Sequence, residues 1–230
     1  MSTKGLFIVI DGADGSGKAT QTKLLAENLQ KLGKSVFTID FPQYTNNLCG
    51  GLIRECLDGK RGDFMALDPR IASVLYAADR FETKTKIEDA LNKGMIVIAD
   101  RYVSANQIHQ GSKINDPVEK VAFMNWLEDL EYGVFGIPRP DIILYLSVSL
   151  NKSMDLMYKR IESKERDVSV SHDVSDTDVS HQHNSRMNAL ELVEATNNWI
   201  KIDCMDGDDI LPIEAIQDKI QTALKPHLEL

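Results

Sequence analysis

The chain has 230 residues, with 26 Lys and Arg against 35 Asp and Glu, for a formal net charge of −9. That balance, with no basic or aromatic array, argues against a nucleic-acid partner; no apolar run is long enough to span a membrane, and Met1-Ser2-Thr3-Lys4 lacks a signal-peptide core. A hydrophobic fraction of 43% suits one α/β domain over residues 1–230, and three sparse cysteines (Cys49, Cys56, Cys204) without metal-ligand spacing suit reduced thiols in a cytoplasmic protein.

The apolar run from Leu6 predicts a strand to Asp11, buried on both faces as in a parallel sheet. Gly12-Ala13-Asp14-Gly15-Ser16-Gly17-Lys18-Ala19-Thr20-Gln21 follows it and opens a helix. Strand, glycine loop and helix form the context of a phosphate-binding P-loop. Its glycines let backbone N–H groups converge on one anion, and the helix start adds partial positive charge. Lys18 would reach the β- and γ-phosphates of a nucleotide. Gly12, Gly15, Ser16, Gly17, Lys18, Ala19 and Thr20 are therefore the expected nucleotide-binding set. The motif asks for a hydroxyl directly after the lysine to ligate Mg²⁺, but Ala19 stands there and Thr20 comes next.

Leucines at helical spacing predict a helix from Lys18 to about Leu32, stopped at Gly33. A strand from Ser35 to Ile39 ends before Pro42. A short helix spans about Leu48 to Leu57, and a long one starts at Pro69 and runs to about Leu91. A third strand, Met95 to Ala99, two helices between Ser104 and Glu131, and a fourth strand, Asp141 to Ser147, come next. After a helix from Asn151 to Ser163, the stretch Lys164 to Gln182 is rich in Ser, Asp and His and reads as a mobile surface segment. A helix from about Asn184 to Asn198, a strand from Trp199 to Cys204 and a helix from Pro212 to Leu224 close the chain. Strands alternating with helices mean a parallel sheet with helices on both faces.

Three further clusters carry chemistry. Asp100-Arg101-Tyr102 lies at the carboxyl end of a strand, where ligands sit in open α/β sheets: the acid can hold Mg²⁺ and the arginine can clamp a phosphate. Alone, the pair also fits a helix cap beside a solvated cation. Tyr76 and Arg80 share one helix face, an arrangement for stacking a base or, more plainly, the rim of an amphipathic helix. Lys159, Arg160, Lys164 and Arg166 form a basic cluster that would close over a phosphoryl group, or a charged helix end.

In this order the motifs resemble the thymidylate kinase family of P-loop nucleoside monophosphate kinases. The resemblance runs from Phe7 to Gln21, through Phe41-Pro42, Tyr76 to Glu82, Asp100-Arg101-Tyr102, Gln110-Gly111 and Pro138 to Leu146, to Asn198-Trp199-Ile200-Lys201-Ile202. It implies a P-loop NTPase fold with a five-stranded parallel sheet, a mobile lid over about 159–182, and a homodimer paired through the Pro69–Leu91 helix. The implied activity is phosphoryl transfer from ATP, with Mg²⁺, to dTMP. Two alternatives stand beside it: another nucleoside monophosphate or deoxynucleoside as acceptor, or a non-catalytic nucleotide-binding protein marked by Ala19. By the resemblance, the P-loop and Lys18 hold ATP and Asp100 helps place Mg²⁺. Asp14 takes the sugar 3′-hydroxyl of the acceptor, Phe41 and Pro42 wall its pocket, and Tyr76 stacks on the base. Arg80 contacts base or phosphate, Arg101 clamps the acceptor phosphate, and Asn106 lies near the base. Gly15 stands where some members carry a P-loop arginine, so Lys18 and Arg101 would be joined in catalysis by the lid cations Arg160 and Arg166. Asp11, Tyr44 and His109 also depart from the family pattern, which has Glu, Arg and an aromatic there.

Overall fold

The structure, a computed structural model, describes residues 4–165 and 178–228. Five parallel strands form one sheet in the order β2-β3-β1-β4-β5: β1 (Phe7–Gly12), β2 (Val36–Asp40), β3 (Ile96–Asp100), β4 (Ile142–Ser147) and β5 (Trp199–Asp203). Each of β1, β3 and β4 is apolar along nearly its whole length because side chains that alternate across the sheet meet helices on both sides. Ile8 and Ile10 pack on one face with Leu25 and Leu29 of α1 (Lys18–Lys31) and Ile216 and Ile220 of α8 (Ile213–Leu224). Phe7 and Val9 pack on the other with Ile87 of α3 (Pro69–Asn92), Ile108 of α4 (Val103–His109) and Ala189 of α7 (Val179–Ala195).

The loop after β2 and the helix α2 (Leu48–Leu57) are held by polar groups of α3. Asn47 caps α2, its carbonyl oxygen accepting from Gly50 N at 2.6 Å while its amide donates to the Asp79 carboxylate at 2.7 Å. The same carboxylate accepts from Gln43 N, and Glu82 accepts from Leu48 N and Cys49 N at the free start of α2. The sequence between Ser104 and Glu131 resolves into α4, a 3₁₀ turn at Gly111–Lys113, α5 (Pro117–Glu128) and a π-helical segment, Asp129–Val134.

The expected surface segment over 164–182 is corrected at both ends. α6 (Leu150–Glu165) runs into it, and α7 begins at Val179 rather than near Asn184. The reason is a cap: the Asp178 side chain accepts from His181 N at 3.0 Å. The intervening residues of the expected lid lie outside the described residues. A small hairpin, β6 (Met205–Asp206) with β7 (Asp209–Ile210), was not foreseen.

Replacing Asn47 with Ala removes both the cap and a partner of Asp79. Urea denaturation should show a loss of about 1–3 kcal/mol.

Candidate functional site

Pairing of β1 with β3 places Ile10 opposite Asp100, so the loops leaving the two strands emerge side by side. There the sheet's carboxyl edge opens into a cleft of about 550 Å³. Of the residues expected in a site, Asp14, Gly15, Gly17, Lys18, Ala19, Thr20, Phe41, Pro42, Tyr76, Arg80, Asp100, Arg101 and Asn106 all line it.

Gly12 and Ser16 of the P-loop are not among the residues that line the cleft. Gly12 has φ 155°, and a Cβ there would stand 2.7 Å from Ser16 Oγ and 2.8 Å from Leu146 O, so only glycine fits this turn. Ser16 Oγ is buried and finds no partner among the described residues. Gly17, in the left-handed region, begins α1 without a side-chain cap, leaving first-turn amides for an anion.

Lys18 is folded back on its own loop. Its Nζ donates to Gly12 O and Ala13 O, both at 2.9 Å, and stands 3.7 Å from the Asp14 carboxylate. Burial lowers its pKa, the charge of Arg101 adds to this, and Asp14 opposes it. Arg101 also ion-pairs with Asp14, so one carboxylate bridges both cations. The Arg101 backbone is held at φ 66°, a costly value for a residue with a Cβ, by its N–H bond to Ile10 O at 3.0 Å.

Asp11 is fully buried and ties the P-loop to α4, accepting from Gly12 N at 2.8 Å and Ser104 Oγ at 2.6 Å. Asp100 differs: its carboxylate lines the cleft and accepts no hydrogen bond from the described residues. Burial raises its pKa against the pull of Lys18 and Arg101. Among the described residues no group of three or more His, Cys, Asp and Glu could cage a metal. Magnesium needs no such cage, because it keeps waters and binds through one or two carboxylates plus substrate phosphates. The uncommitted Asp100 oxygens fit that need.

Phe41 and Pro42, joined by a cis peptide bond, also line the cleft. Tyr76 packs on Phe64 with ring centroids 5.8 Å apart. Arg80 lines the cleft but is not the open rim cation that helical spacing suggests. It is 2% exposed and forks onto Glu131, itself fully buried. Of the expected lid cations, Arg166 and the side chain of Arg160 lie outside the described residues.

Sequence reasoning missed Glu131, Arg54 and Gln182. Arg54 lines the cleft with its guanidinium 5.2 Å from the Tyr44 ring, and its partner Asp58, four residues on, was the only local signal. Gln182 joins the cleft because α7 starts early. His181, one residue before it, brings its ring to 5.7 Å from that of His109. Burial, reinforced by the nearby Arg101 charge, pushes the His109 pKa down to about 3.

The sequence profile of the thymidylate kinase family matches residues 10–220 of this chain. A thymidylate kinase of Mycobacterium tuberculosis is 31% identical over 144 residues, 63% of this chain and 66% of that one. A probable thymidylate kinase of Pyrococcus abyssi is 31% identical over 232 residues, 98% of each chain. The solved structure of thymidylate kinase from Candida albicans superposes with a TM-score of 0.75 at 22% identity, covering 99% of this chain and 94% of that one, a likeness of fold.

The His109 environment gives a pH test. Below pH 6.5 the unfolded chain takes up a proton that the folded protein refuses down to about pH 3, so stability falls as pH drops through that window. Urea midpoints between pH 7 and pH 4.5 should decline more steeply for the parent than for His109→Phe.

Proposed function

The chain belongs to the thymidylate kinase family, and from that membership we propose that it transfers the γ-phosphoryl group of ATP to dTMP, giving dTDP and ADP. The observation that carries this is one cleft lined both by a P-loop and by an aromatic, arginine-bearing set of side chains. Two nucleotides can meet there end to end, as in-line transfer requires.

The first-turn amides of α1 and the P-loop backbone take the donor phosphates. Lys18 then exchanges Gly12 O and Ala13 O for phosphate oxygens. Arg101, already charged and tethered to Asp14, clamps the acceptor phosphate, leaving Asp14 to accept from the sugar 3′-hydroxyl. Cis-Pro42 and Phe41 wall the acceptor, Tyr76 stacks on its base, and Arg80 and Asn106 face the base edge. Arg160 and Arg166 are the lid cations that would neutralise charge on the moving phosphoryl group. Mg²⁺, when bound, neutralises β- and γ-phosphate oxygens, and Asp100 with water would hold it in place of a hydroxyl at Ala19. Only positioning and charge are required of the protein; no covalent step involves it.

Residues 1–230 act as one domain in this reading, and a second copy of the chain completes the assembly. Ile71, Val74 and Phe81, exposed and spaced along one face of α3, form with Leu48 and Leu52 of α2 the apolar surface such a copy would cover. Three free thiols suit a reducing cytoplasm.

The deciding experiment measures ADP release from ATP and Mg²⁺ with each nucleoside monophosphate in turn. Strong release with dTMP is expected; release with another acceptor only, or with none, overturns the assignment. Lys18→Ala should lower kcat by about 10²–10³-fold, the range for removing one preorganised electrostatic donor.

A further inference from the structure

A single carboxylate behind the cleft holds two of its polar side chains, Arg80 and Asn106. Glu131 lies in the π-helical segment and is fully buried. Its Oε2 accepts from Arg80 Nε at 2.8 Å, and its Oε1 accepts from Arg80 Nη2 and, at 3.2 Å, from Asn106 Nδ2. Arg80 Nη1 donates to Tyr102 O at 3.2 Å, and Asn106 Nδ2 also reaches Ser73 O at 3.3 Å.

These bonds fix the orientation of the Asn106 amide. Reversed, its oxygen would face the Ser73 carbonyl and the Glu131 carboxylate, acceptor against acceptor. Oδ1 therefore points away from Glu131 and accepts no hydrogen bond from the described residues, while Asn106 lines the cleft. Arg80, which also lines it, keeps one N–H on each terminal nitrogen beyond the three it has placed. The cleft thus offers a fixed donor beside a fixed acceptor. An imide edge, carbonyl oxygen next to ring N–H, matches that pair. Cytosine, with an amino group next to a bare ring nitrogen, sets donor against donor and acceptor against acceptor.

We propose that Glu131 is the positioning residue that sets this polarity, and so selects an imide pyrimidine over cytosine. The proposal rests on the reading of the protein as a kinase of dTMP. A carboxylate suits the task because it accepts at both oxygens. An amide at the same place would turn an N–H₂ toward at least one of the donors it must hold, leaving a buried donor unpaired.

The test uses the full chain and steady-state kinetics with dTMP and dCMP as acceptors. In the parent, kcat/KM for dCMP should be at least about a hundredfold below that for dTMP, the scale on which a mispaired buried polar edge discriminates. Comparable use of dCMP would overturn the polarity without any variant. Glu131→Gln should raise KM for dTMP by about tenfold, leave KM for ATP within about twofold, and lower the dTMP-to-dCMP preference by about tenfold. A purely structural role would instead lower stability and leave that preference unchanged. Where the Gln variant does not fold, Glu131→Asp keeps the charge but withdraws it by one methylene, and should shift KM and preference in the same directions. Unchanged preference in a folded variant, with the parent active on dTMP, sinks the positioning role. A parent inactive on dTMP sinks the underlying reading instead.

Discussion

The pairing of β1 with β3 is the constraint on which the site depends. Its ladder continues past the strands, where the Arg101 amide bonds Ile10 O. That bond sets the direction in which the chain leaves β3. It therefore brings Arg101 and Asp100 against the P-loop, which leaves β1 one strand away. The result is three carboxylates, Asp11, Asp14 and Asp100, packed against two cations, Lys18 and Arg101. Each carboxylate has a distinct assignment. Asp11 is spent on the fold, Asp14 on restraining the cations, and Asp100 lines the cleft without a side-chain hydrogen bond from the described residues.

α3 does comparable work on the side of the cleft that carries Tyr76 and Arg80. A helix repeats its direction every three to four residues, so a single turn can face three ways. Asp79 and Glu82 hold the start of α2, Tyr76 and Arg80 face the cleft, and Ile71, Val74 and Phe81 face outward. That side of the cleft is consequently as rigid as the packing of α3 on the sheet, through Ile87, Ala90 and Leu91, allows.

Most of this frame was legible in the sequence. Continuous apolar runs gave the strands of a parallel sheet, and the bounds of α2 were read without error. The glycine spacing located the loop that wraps Lys18. The start of α7 was hidden because its inward residues there, Gln182, Ser185 and Asn188, are polar, and apolar periodicity is silent over them. They are buried because they bond across the fold, as Asn188 does to the carbonyls of Gln107 and Ile108. The hairpin was missed because its strands are two residues long, although Asp206-Gly207 is a turn signal. Arg80 could be placed on the right face, but its partner Glu131 lies 51 residues away and no local pattern links them.

The resting bonds of Lys18 have one more consequence. An ammonium already satisfied by two backbone carbonyls is a gate with its own bolt. A ligand gains only the difference between the oxygens it offers and those it displaces, so entry is a swap of partners rather than a capture. A lone small anion supplies little beyond what the loop already has. A polyphosphate, which presents oxygens to the lysine and to the helix amides together, gains on both. Partner exchange at Lys18 therefore favours anions that reach the lysine and the helix amides at once over those that reach the lysine alone.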